Sequence, residues 1–141
     1  MSLNETAAAS APEQAAHDTA PRTLQVWLDG AFVDADSPQS PVTTHAMHYG
    51  SSVFEGIRSY ALADGGAAVF RLPEHMERMR KGAELLGIRF DVAQATEATL
   101  ATLRHNGHRD AYIRPLAWCG TGSIGLDVGP QSQHLMVATF P

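Results

Sequence analysis

The segment from His45 to Tyr60, His-Ala-Met-His-Tyr-Gly-Ser-Ser-Val-Phe-Glu-Gly-Ile-Arg-Ser-Tyr, constrains the fold more tightly than any other part of the chain. Its first half sets two imidazoles and a phenol ahead of Gly50, which suits a turn or a single helical turn. Its second half, 52–60, fits a strand. Residues two apart on a strand share a face, so Phe54, Gly56, Arg58 and Tyr60 point one way and Val53, Glu55 and Ile57 the other. One face therefore offers an aromatic wall, a bare stretch of backbone and a cation. A glycine inside a strand gives up packing; close approach of a ligand or another backbone accounts for that, and so does a bulge or a crowded crossing in the core.

Elements on either side can be placed around this strand. Leu24 to Leu28 and Ala31 to Val33 are short apolar runs joined by Asp29-Gly30, a strong hairpin signal. The segment from Ser37 to Pro41 is a loop, because prolines at 38 and 41 bias the residues before them away from helix. Asp64-Gly65-Gly66 makes the next turn, and Ala67 to Leu72 returns as a strand beside 52–60. Pro73 and Glu74 open a helix, where proline is tolerated and an acid suits the dipole. Leu72, Met76, Met79, Ala83 and Leu86 form its inward stripe, with Arg78 beside the stripe and Gly87 as the C-cap. A second helix covers Val92 to His105, with Thr96, Thr99, Leu100 and Leu103 near its inner side and Asn106-Gly107 ending it.

Ala111 to Trp118 is a strand in which Tyr112 and Arg114 share a face. Proline lacks a ladder donor, so Pro115 places this strand at an edge or beside a bulge. A phenol and a guanidinium two residues apart can together hold a carboxylate, one through a single donor and the other through a planar fork; a surface arginine stacked on its neighbours is the plainer alternative. Leu135 to Phe140 is the last apolar strand.

Other patterns are excluded by context. Gly120, Gly122 and Gly125 spell Gly-x-Gly-x-x-Gly, but a dinucleotide site needs a helix opening on the last glycine within a βαβ unit, and Asp127, Gly129 and Pro130 forbid that helix. His105 and His108 straddle a helix end without an acid or cysteine to join them, and His45 and His48 suit a turn or cavity, so no metal site is expected. A net charge of −5 with scattered basic residues argues against nucleic acid. No apolar run approaches a membrane span, and the single cysteine, Cys119, fits a reducing compartment. A cytoplasmic location is expected. Residues 1–23 hold alanine, polar residues and two prolines without valine, isoleucine or an aromatic, and are expected to form a disordered tail, with one domain over 24–141.

The run His-Tyr-Gly-Ser-Ser-Val-Phe-Glu-Gly-Ile-Arg at 48–58 resembles the signature of branched-chain amino-acid aminotransferases, fold-type-IV enzymes dependent on pyridoxal 5'-phosphate. Further runs agree in the same order: Val-Trp-Leu-Asp-Gly at 26–30, Val-Phe-Arg-Leu-Pro-Glu-His-Met-Glu-Arg-Met at 69–79, Ala-Tyr-Ile-Arg-Pro at 111–115 and the glycine-rich loop at 120–125. The resemblance implies an α+β fold, a mainly antiparallel sheet of about five or six strands with two helices on one face. It implies that Arg78 binds the cofactor phosphate, that Tyr112 helps hold the substrate α-carboxylate and that Arg114 meets the side-chain carboxylate of glutamate. Tyr49 and Phe54 would wall the aliphatic side chain, Arg58 would support the site, and Leu126 would touch substrate from a mobile loop that reaches the partner subunit.

The same resemblance sets a limit. The family's cofactor is held on a lysine, and the one lysine in this sequence, Lys81, matches no family lysine and points away from the apolar stripe. The chain is thus expected to be the small domain alone, without the nucleophile and inactive by itself. The whole enzyme would move an amino group between leucine, isoleucine or valine and 2-oxoglutarate, as a homodimer or higher homo-oligomer. A sister fold-type-IV enzyme, such as a D-amino-acid transaminase or aminodeoxychorismate lyase, and a stand-alone binding module are the alternatives. The expected convergence of residues 54, 78, 112 and 114 around one hollow is the physical content of the resemblance.

Overall fold

The computed structural model describes residues 23–141; the tail expected over 1–23 lies, but for Thr23, outside the described residues. In chain order the elements are β1 (Gln25–Leu28), β2 (Ala31–Asp34), α1 (His45–Tyr49), β3 (Ser52–Phe54), β4 (Ile57–Ala61), β5 (Ala67–Val69), α2 (Leu72–Leu85), α3 (Val92–Asn106), β6 (Ala111–Cys119) and β7 (Gln133–Phe140). The strands form one antiparallel sheet of seven, in the order β2-β1-β7-β6-β4-β5, with β3 also paired to β6. The architecture is α+β, as the sequence implies. The extra strand arises because 52–60 is interrupted once.

That interruption has a chemical cause on the neighbouring strand. β3 and β4 keep one register against β6, Phe54 opposite Leu116 and Ile57 opposite Ile113, so Glu55 faces Pro115 and Gly56 faces Arg114. The Pro115 carbonyl accepts from Glu55 N at 3.2 Å. In an antiparallel ladder the N–H of a residue points to the same side as its carbonyl, and at Pro115 that donor is missing. The ladder therefore breaks there while the alternation of faces continues: Phe54, Gly56, Arg58 and Tyr60 are exposed, and Glu55, Ile57 and Ser59 are buried. Pro115 was expected to mark an edge or a bulge beside Arg114; β6 is instead central, flanked by β7 on one side and by β3 and β4 on the other, and the break opposite Pro115 keeps one register and inserts no extra residue.

The Asp29-Gly30 turn has φ of 48° and 104°, the two positive values that a two-residue hairpin of this hand needs. The strand expected to reach Leu72 ends at Val69, since Arg71 takes φ of 47° and α2 begins at once. α2 buries Leu72, Met76, Met79 and Ala83; Leu86 lies past its last turn, and Ile88 fills the place expected for it. In α3 the buried residues are Ala95, Ala98, Thr99, Thr102 and Leu103, a stripe rotated from the expected one. The threonines turn their hydroxyls back on the helix, Thr99 to Ala95 O at 2.8 Å and Thr102 to Ala98 O at 2.7 Å, so their methyl groups can face the core. Asp91 caps this helix, accepting from Ala93 N and Gln94 N.

Both long helices pack on the face of the sheet that carries Ile57, Ala111, Ile113, Ala117, Cys119, Leu135 and Val137, and together they form one apolar cluster. The opposite face holds the side chains of alternate parity: Phe54, Arg58, Tyr112, Arg114, Leu116 and Met136. No helix among the described residues is long and apolar enough to cross a membrane.

Candidate functional site

The outer face of β6 carries Tyr112 and Arg114, the pair expected from the sequence to hold a carboxylate. Arg114 lays its guanidinium over the Phe54 ring, 4.2 Å from the centroid, a cation–π arrangement that fixes the plane of the fork. The Tyr112 hydroxyl accepts from Arg114 Nε at 3.1 Å and from Nη2. Because that oxygen already accepts from the guanidinium, its own hydrogen is turned away from Arg114 and remains free to donate. Phenol and guanidinium thus present donors side by side, above an aromatic base. Arg58 stands opposite Tyr112 in the register and extends a second guanidinium on the same face.

Gly56 allows this cluster to form. A Cβ there would lie 2.7 Å from the Tyr112 hydroxyl and 3.2 Å from its ring, so any side chain would displace the phenol. The close approach inferred from the sequence is that of a side chain.

Arg78 lies on the other side of the same strand. Glu55, adjacent to Phe54 and of opposite parity, is 5% exposed and turns toward α2, where it accepts from Arg78 Nε at 2.6 Å and Nη2 at 2.5 Å and pairs with His75 Nδ1 at 2.9 Å. The hydrogen bonds from Arg78 hold the Glu55 carboxyl below its usual range, against the opposing effect of burial, and His75 acts in the same direction as Arg78. Arg78 is raised above its usual value by the same pair. One edge of its guanidinium, Nε and Nη2, is committed to Glu55, and Nη1 is not used in that pair; the side chain is 70% exposed. A cavity of about 390 Å³ adjoins it, lined by Phe70, Arg71, Glu74, His75 and Arg78.

Tyr49 and Leu126 belong to a third cluster at the Cys119 end of β6. Tyr49 donates to Ile124 O at 2.6 Å, and Leu126 projects from the 120–132 loop, 78% exposed. The chain by itself thus brings Phe54, Tyr112 and Arg114 into contact, sets Arg58 beside them, holds Arg78 across the edge strand, and places Tyr49 and Leu126 at the strand's far end.

Glu55, His75, His45 and Ser51 contribute to these clusters without having been singled out as site residues from the sequence. Parity alone would have sent Glu55 to the helix face. Its partner is 23 residues distant on α2, a separation without a sequence signal. Among the described residues no three His, Cys, Asp or Glu side chains are grouped so as to hold a metal ion.

Comparison with known proteins gives the class to which this small antiparallel α+β domain belongs. The family model for amino-transferase class IV matches residues 52–141, and the chain belongs to that family. Among similar proteins, the probable branched-chain-amino-acid aminotransferase of Rickettsia felis is 39% identical over 118 residues, covering 82% of this chain and 39% of its own length. The branched-chain-amino-acid aminotransferase of Escherichia coli (strain K12) is 39% identical over 123 residues, covering 82% of this chain and 38% of its own length. Among solved structures, the branched-chain aminotransferase of the thermophilic archaeon Thermoproteus uzoniensis, with norvaline, superposes with a TM-score of 0.77 at 36% identity, over 84% of this chain and 40% of that one. The Escherichia coli enzyme gives a TM-score of 0.78 at 34% identity, over 85% of this chain and 40% of that one. The chain therefore spans about two-fifths of the length of the relatives it matches.

Proposed function

We propose that the protein carrying this chain is a pyridoxal 5'-phosphate-dependent branched-chain aminotransferase, and that residues 24–141 form its small, substrate-side domain. The observation that carries this reading is the Tyr112–Arg114 donor pair fixed over Phe54. A phenol hydrogen and a guanidinium edge directed the same way suit the α-carboxylate of an amino acid or the second carboxylate of glutamate. The apolar groups beside them, Phe54 and Leu116, suit an aliphatic side chain. The names of the relatives support the same substrate class.

The residues near Arg78 fit a phosphate group. Its Nη1 can donate to a phosphate oxygen while Glu55 fixes the guanidinium plane, and the adjoining cavity adds His75 and Arg71, whose Nε is held by Glu74 at 3.0 Å. When bound, pyridoxal phosphate would supply the aldehyde that takes up the amino group and the conjugated ring that takes up the electrons at Cα. This chain's own residues would hold the phosphate, orient the carboxylate and wall the side chain. Lys81 is not offered as the lysine that engages the aldehyde: it is exposed and lies 3.9 Å from Glu77 on the outer side of α2. We further propose a cytoplasmic homodimer, consistent with the buried free thiol of Cys119 and the exposed apolar tip of the 120–132 loop.

The test is substrate profiling of the intact gene product with leucine, D-alanine and aminodeoxychorismate, before and after Arg114→Ala. Amino transfer from leucine to 2-oxoglutarate, with the Arg114→Ala variant losing about 10- to 100-fold in kcat/KM, is expected. Turnover of D-alanine or aminodeoxychorismate in its place would assign a sister enzyme, and binding without turnover of any of the three would assign a non-catalytic module.

A further inference from the structure

His45 is buried beneath the outer end of β6 and takes no part in the carboxylate cluster. Its Nδ1 is 2.6 Å from Ser51 Oγ and its Nε2 is 3.0 Å from Gly125 O. A carbonyl oxygen can only accept, so Nε2 carries a hydrogen, and in the neutral ring Nδ1 then accepts from the Ser51 hydroxyl. One turn along α1, Tyr49 donates to the next carbonyl, Ile124 O, at 2.6 Å, with its ring 4.6 Å from that of His45. Two consecutive carbonyls of the 120–132 loop are thus tied to a five-residue helix.

The rest of the loop is secured in the same manner. Its neck closes through Gly120 N to Ser132 O at 2.7 Å and Ser132 N to Thr121 O at 2.8 Å. Inside it, Gln131 Nε2 donates to Ser123 O at 2.7 Å and to Asp127 O at 3.1 Å. Val128 lies against Gly87, where a Cβ would come within 2.9 Å. All these ties are made by the inner side of the loop. Its tip side chains, Ile124 and Leu126, stay exposed, which is an unfavourable display for large apolar groups unless they meet something there.

We infer that His45 is a positioning residue: oriented by Ser51 and joined by Tyr49, it clasps the loop so that Leu126, at the far end of β6 from Tyr112 and Arg114, is presented at a fixed place to the aliphatic side chain of substrate bound in the partner subunit. The substrate half of this statement rests on the branched-chain aminotransferase reading; the clasp does not. An untied loop of thirteen residues would sample many conformations, and each substrate encounter would then have to bear the cost of ordering it.

Three substitutions in the intact gene product test the clasp: His45→Phe, which keeps a ring against Tyr49 and removes both nitrogens, His45→Gln, which restores one donor, and Ser51→Ala. Amide hydrogen exchange over 122–128 is read by mass spectrometry, and KM and kcat for leucine are measured in parallel. In His45→Phe the exchange is expected to quicken about tenfold, and KM for leucine to rise about tenfold with kcat within about threefold. Ser51→Ala should show a smaller change of the same kind, and His45→Gln should recover most of both. Unchanged exchange in a folded His45→Phe protein overturns the clasp. Faster exchange with an unchanged KM overturns the presentation of Leu126 and leaves the clasp standing, and a protein that never turns over leucine fails the functional reading while the exchange still decides the clasp. If phenylalanine at 45 blocks folding, unchanged exchange in both Ser51→Ala and Tyr49→Phe overturns it instead.

Discussion

At position 56 the strand gives up a side chain so that a residue on the neighbouring strand can lie across it. The Tyr112 hydroxyl occupies the space a Cβ would need, and from there it accepts from Arg114. Replacing Gly56 with alanine should therefore act on substrate affinity more than on stability, since the half-buried phenol can shift toward solvent. KM for amino-acid substrate is expected to rise about tenfold, equivalent to about 1.4 kcal/mol, with the thermal midpoint lowered by only a few degrees. Steady-state kinetics and calorimetry on the same preparation check this; an unchanged KM would mean that Tyr112 does not hold substrate. The need for glycine at 56 was legible in the sequence, and so was the face it shares with Phe54 and Arg58. Tyr112 could not be named as the reason, because nothing in the sequence pairs 52–60 with 111–118 at a known register.

Single elements show where local rules hold and where the sheet overrides them. Helix boundaries followed capping chemistry closely, with Asp91 and Gly107 bounding α3 and Gly87 following α2. Pro115 was misplaced because the edge rule assumes a continuous ladder on both sides; in this sheet the neighbouring strand breaks opposite the proline, so a central strand tolerates it. Leu86 was misplaced because a wheel has no end, whereas α2 stops at Leu85. The link between β3 and α2 was not legible at all, since Glu55 carries no sign of its partners. Its ion pair makes a pH-dependent prediction. Glu55's folded-state pKa lies below its ordinary 4.5, so the folded chain binds fewer protons than the unfolded one. The stabilisation is then complete above that ordinary value and fades as pH falls through the lowered one. Glu55→Gln should unfold at lower urea than the wild type near neutral pH, and the two midpoints should converge as pH falls through Glu55's lowered folded-state value. A gap that persists in acid would assign Glu55's contribution to shape, not charge.

At the scale of the whole molecule, the helices cover one face of the sheet and leave the other open. A groove of about 680 Å³ runs over that open face, walled by Leu24, Leu28, Trp118, Met136 and Phe140, next to the row that carries Tyr112 and Arg114. The site residues read from the sequence are distributed around this one sheet and α2. The single hollow expected for residues 54, 78, 112 and 114 is not formed within the described residues: Phe54, Tyr112 and Arg114 share the outer face, while Arg78 lines a separate cavity on the helix side. One consequence can be measured on the 141-residue chain itself. A lysine that engages the aldehyde of pyridoxal phosphate needs an amine freed of its charge by a dry or cationic surrounding. Lys81 has neither: its side chain is 68% exposed and its nearest charged partner is the acid Glu77. Treating the purified chain with pyridoxal phosphate and then borohydride should therefore leave the peptide containing Lys81 at its unmodified mass, while Arg78 still permits weak, reversible binding that inorganic phosphate competes away. A stoichiometric pyridoxyl increment on Lys81 would place the nucleophile on α2 and reverse the roles of α2 and the outer face of β6.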